Sequence, residues 1–142
     1  MGEQPLQAGH DEAVVAALGL VNRVIQLDPA AAGFLARCRT GVGRSGLAAE
    51  GRRLCGAYQE LGAGLADLGM TGTTADAVAA IVDHHLRLLR TALELIYRPQ
   101  TEAVARQRQR LAGLGGTAER LVVLRDRLAG EVAPEALDPL GG

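Results

Sequence analysis

The chain has no lysine and no tryptophan, and among its 142 residues only Phe34, Tyr58 and Tyr97 are aromatic. So few rings argue against a β-sandwich core and against an RNA binder that stacks bases on aromatic platforms. Charge of one sign is also lacking. Fifteen basic residues, all arginine, face sixteen acids for a formal net charge of -1, which does not suit a globally basic nucleic-acid binder. The two cysteines, Cys38 and Cys55, are too few for a disulfide framework and read as free thiols of a reducing cytoplasm. No basic stretch followed by an apolar run opens the chain, no prenylation cysteine closes it, and no apolar stretch approaches the ~20 residues of a membrane span. The expected setting is therefore cytoplasmic, without a membrane partner.

What the chain does have is hydrophobic residues, at 48%, with helix-type spacing. An apolar stripe of Val14, Leu18, Val21 and Ile25 predicts a first helix from about His10. It is interrupted at Asp28-Pro29, where Asp28 caps a second short piece running toward Phe34 and Leu35. A short strand over Gly33 to Cys38 is the alternative. Glycines make Thr40 to Gly46 a loop, with Ser45 as an N-cap. Leu54, Tyr58, Leu61, Leu65 and Leu68 then recur at alternating four- and three-residue steps, a narrow seam of the coiled-coil kind. Gly51, Gly56, Gly62 and Gly64 on the same helix either admit a close partner helix or let it fray.

A third long helix is expected from about Ala75 to Tyr97, with Val78, Val82, His85, Leu89, Ala92 and Ile96 as one stripe and Ile81, Leu88 and Leu95 as a second. Arg98-Pro99 stops it. From Gln100 to Gly130 the phase Val104, Leu111, Leu114, Leu121, Leu128 suggests one kinked helix, while Thr117 and Glu119 would cap a fresh helix if Gly115-Gly116 is a turn. The fold class is all-α: an antiparallel bundle of four or five helices with coiled-coil-like pairing. Residues 1–130 form a single domain and 131–142 a flexible acidic tail.

The nine residues Cys38-Arg39-Thr40-Gly41-Val42-Gly43-Arg44-Ser45-Gly46 resemble the Cys-x5-Arg signature loop of tyrosine and dual-specificity phosphatases. The resemblance implies Cys38 as nucleophile, Arg44 as phosphoryl clamp and Ser45 as the hydroxyl that assists breakdown of the phosphocysteine. Such a loop follows a strand, so the state of Gly33 to Cys38 separates this reading from a plain connector with Cys38 as a small buried hydrophobe. At Asp83-His84-His85, His85 lies on the seam and reads as a satisfied core histidine. The spacing that would converge on a metal is absent there, and neither metal nor cofactor is expected.

Several stripes look wider than one small bundle needs, and Arg87 to Gly130 carries nine arginines against four acids. The preferred reading is a non-enzymatic protein–protein interaction module: an adaptor, chaperone-like or scaffold protein, oligomeric or bound to another protein. Its expected interface residues are Leu54, Tyr58, Leu61, Leu65, Val104 and Leu111, with Arg106 and Arg110 selecting an acidic partner. The alternatives are a small cysteine-dependent phosphatase or oxyanion-binding protein and, least favoured, an arginine-helix nucleic-acid binder.

Overall fold

A computed structural model describes residues 3–41 and 46–132. They form five helices: α1 (Glu3–Thr40), α2 (Leu47–Leu68), α3 (Thr73–Tyr97), α4 (Glu102–Gln109) and α5 (Thr117–Ala129). Among the described residues there is no strand. The packing of α1 on α2, α3 and α5, and of α2 on α3, makes an antiparallel bundle, as the periodicity required.

The expected break at Asp28-Pro29 is corrected, since α1 runs through Pro29 without ending and Asp28 caps nothing. A proline inside a helix costs about 3 kcal/mol through its missing N–H and its clash with the preceding turn. Packing on both sides of it offsets that cost. Val14, Ala17, Val21, Val24, Asp28, Ala31, Leu35 and Cys38 recur at alternating three- and four-residue steps, and every one of them is buried. Breaking the helix would take the second half of that stripe out of phase with the first. By length and composition Gly9–Thr40 is also apolar enough to cross a membrane, which corrects the expectation that no such stretch exists. In the bundle its stripe lies against α2, α3 and α5.

The cap of α2 is Gly46, held at φ 80°, and Ser45 lies outside the described residues. Of the α2 glycines, Gly51 admits the closest approach. A Cβ there would stand 2.7 Å from Phe34 Cζ and 2.9 Å from Leu93 Cδ1, so a side chain would push the Phe34 ring of α1 and the Leu93 methyl of α3 aside. The single kinked helix expected after Pro99 is likewise corrected to two. Thr101 caps α4 by accepting from the Val104 N–H at 3.2 Å, and Gly115 turns the chain at φ 74° before α5. Leu111 and Leu114, which kept the helical phase, are buried from the connection instead. Val132, assigned to the tail, is buried as well, and residues 133–142 lie outside the described residues.

Candidate functional site

Asp28 and His85 are the buried polar side chains among the described residues, and both belong to one chain of polar groups drawn from four helices. The Tyr58 hydroxyl (α2) is 3.0 Å from His85 Nδ1 (α3), and His85 Nε2 is 2.9 Å from Thr117 Oγ1 (α5). Thr117 Oγ1 in turn donates to Asp28 Oδ2 (α1) at 3.2 Å. The proton inventory fixes the direction of the whole chain. Because the threonine hydrogen is spent on Asp28, its oxygen accepts from His85 Nε2–H. Nδ1 is then bare and accepts from Tyr58. One neutral tautomer therefore satisfies three hydrogen bonds, each donor serving one acceptor.

Electrostatics favour the same state. Burial lowers the His85 pKa; the Asp28 carboxylate opposes that shift and His84 adds to it. Burial, aided by the nearby Asp28 charge, raises the Tyr58 pKa, so the phenol keeps its proton. The histidine and tyrosine rings meet edge to face at 5.4 Å. His85 is thus the satisfied core histidine its seam position implied. Sequence reasoning missed its partners, because Asp28 had been read as a cap and Thr117 lies 89 residues away from it.

The expected interface residues divide by exposure. Leu54, Tyr58 and Leu61 on α2, Val104 on α4 and Leu111 in the α4–α5 connection are buried in this chain's own core, and Leu65 is half-buried. The stripes that looked too wide for one bundle are packed against α1, α3, α4 and α5, and Leu111 also lines the groove described next. Arg106 and Arg110 are exposed.

An open groove of about 370 Å³ runs between α3 and the segment from α4 into its connection to α5. Leu88, Leu95 and Leu111 supply its apolar surface, and Arg98 and Arg110 supply cations against the single carboxylate of Glu94. Arg98 makes only a 3.5 Å contact to Gln107 Oε1, which leaves its guanidinium available. Arg106 is on α4 but does not line this groove.

Cys38 sits in the last turns of α1, so Gly33 to Cys38 is helical where a phosphatase-type loop follows a strand. Its thiol is 1% exposed. Burial pushes its pKa up to about 11, with Arg37 and Arg108 opposing and Glu50 adding to the shift. Such a thiol carries little thiolate at neutral pH and is a poor nucleophile. Arg44 and Ser45 lie outside the described residues. Cys55 is also buried and free, its pKa raised by desolvation. Among the described residues, no group of three or more His, Cys, Asp or Glu side chains is placed to hold a metal ion. Comparison of the chain with protein-family models, with curated proteins and with solved structures finds no match in any of the three.

Proposed function

We propose that this chain is a helical protein–protein interaction module, an adaptor or scaffold, that takes an acidic amphipathic segment of a partner into the groove beside α3. The observation that carries the reading is the groove itself, with leucine surface for an apolar stripe and two guanidinium groups at hand for carboxylates. Arginine suits that task because its planar fork pairs with a carboxylate through two parallel hydrogen bonds. The buried, unpaired cysteines support work in a reducing compartment such as the cytoplasm.

The test is binding of a labelled helical peptide that alternates leucine with glutamate on one face, beside a twin in which lysine replaces glutamate. The acidic peptide binds and the basic one does not. The double variant Arg98→Glu with Arg110→Glu weakens binding about tenfold or more, whereas Arg106→Glu, outside the groove, changes it little. Equal binding of the acidic peptide by wild type and the double variant would refute the proposal.

A further inference from the structure

One buried side-chain nitrogen or oxygen among the described residues has no hydrogen-bond partner: Nε of Arg108. Its isolation contrasts with Tyr58, His85, Thr117 and Asp28, whose polar atoms are engaged in the core. Leaving a buried donor unanswered costs about 1–3 kcal/mol, so such an atom calls for a specific account. Arg108 lies on α4 and lines a cavity of about 240 Å³ together with Cys38, Gly41, Leu47, Ile96 and Gln100. That is several times the ~30 Å³ a water occupies in the liquid.

The surroundings of the guanidinium are arranged around it without neutralising it. Gly41, at φ 72°, leaves the space it fills, for a Cβ there would lie 3.1 Å from Arg108 Nη1. Glu50 is taken by Arg37, and the Gln100 amide nitrogen donates to the carbonyls of Leu95 at 3.2 Å and Arg98 at 2.7 Å. No carboxylate among the described residues pairs with Arg108. The other walls are Leu47, Ile96 and the Cys38 thiol.

We infer that this cavity binds a small monocarboxylate with a short apolar tail, the carboxylate on Arg108 and the tail against Leu47, Ile96 and Cys38. Charge number selects the class: among the described residues that line the cavity Arg108 is the one cation, which balances a monoanion, while a phosphate dianion would keep an uncompensated charge against apolar walls. The thiol, held neutral by burial, does not repel the anion. The carboxylate can come from a free short-chain acid or from the C-terminus of a polypeptide. The inference does not rest on the groove beside α3, which is lined by other residues.

The experiment follows the arginine Nε–H resonances of the full chain by ¹H–¹⁵N spectroscopy, with that of Arg108 assigned by its loss in Arg108→Gln. Sodium butyrate shifts the Arg108 resonance saturably, and butyramide binds about tenfold or more weakly. Butyrate saturation, read elsewhere in the spectrum, disappears in Arg108→Gln. It disappears also in Ile96→Phe, which fills the cavity and keeps the charge, so the result does not hang on one variant folding. Arg98→Glu with Arg110→Glu leaves it unchanged. A short peptide ending in valine, compared with its C-terminal amide, separates the sources: binding of the acid form alone assigns a polypeptide terminus, and binding of butyrate without either peptide assigns a free acid. Absence of saturable butyrate binding overturns the inference. Phosphate binding as tight as butyrate overturns the monocarboxylate assignment.

Discussion

Two polar regions lie in the same bundle and are built on opposite terms. In one, Tyr58, His85, Thr117 and Asp28 close a chain of hydrogen bonds in which each donor has its acceptor. In the other, Arg108 brings a full positive charge beside a cavity and one of its nitrogens is left unanswered. The first arrangement joins α1, α2, α3 and α5 and specifies how they sit, because sliding any of them breaks at least one hydrogen bond in a medium that offers no replacement. The second fixes little and leaves binding capacity in reserve. Burial alone therefore does not tell a structural polar group from one available for binding; the state of its hydrogen bonds does.

The contrast breaks most sharply at its centre. His85→Ala empties a fully buried site and strands both the Tyr58 hydroxyl and Thr117, so it should destabilise the chain by about 3–5 kcal/mol in urea unfolding. A loss below about 1 kcal/mol would show the chain of hydrogen bonds to be dispensable.

A smaller effect comes from pH. The native pKa of His85 lies below its ordinary ~6.5, so as pH falls the unfolded chain takes up a proton before the native one does. Its contribution to stability is whole above about pH 6.5 and is lost as pH falls through the native value. Cys38 has the opposite sign. Its contribution is whole below the ordinary thiol pKa of ~8.5 and is lost as pH rises toward about 11. Unfolding followed from acid to alkaline pH should show both slopes, the first reduced in His85→Gln and the second in Cys38→Ala, where Cys55 and Tyr58, also raised by burial, keep the remainder.

Smallest of all is the expected effect at Arg108. Arg108→Met removes a charge that has no partner and fills part of the cavity with apolar atoms, so the unliganded chain should change by about 1 kcal/mol or less in either direction. A loss approaching that of His85→Ala would mean that Arg108 belongs with the closed region.

Much of the fold was legible because α2 and α3 carry their buried positions in an unbroken helical period. At Asp28-Pro29 two local signals, a capping residue and a helix breaker, outweighed the longer-range one. The heptad step from Val24 to Ala31 places Asp28 on the seam and carries the phase across Pro29. A polar residue at a seam position was the available clue that something inside would answer it. Thr117 offered no such clue, since its partners come from other helices and nothing in its neighbours points to them. At Gly115-Gly116 the preserved phase misled, because Leu111 and Leu114 reach the core from a connection. Periodicity also shows that a stripe must be covered but not whether this chain or another covers it, and Leu54, Tyr58 and Leu61 are covered from within this chain. The groove beside α3 draws on the connection between α4 and α5, the cavity at Arg108 joins residues from the ends of α1, α2 and α3 to α4, and no local pattern announces either.

The hydrogen bond between Asp28 and Thr117 also orders events during synthesis. The ribosome delivers Asp28 89 residues ahead of Thr117, an interval of roughly 4–18 s at ordinary rates of translation. Through that interval α1, with the length and hydropathy of a membrane-crossing segment, has yet to meet the helix that supplies its hydroxyl donor. The nascent chain thus carries a helix of that length and hydropathy, with α2 and α3 already made, before α5 exists to complete its cover.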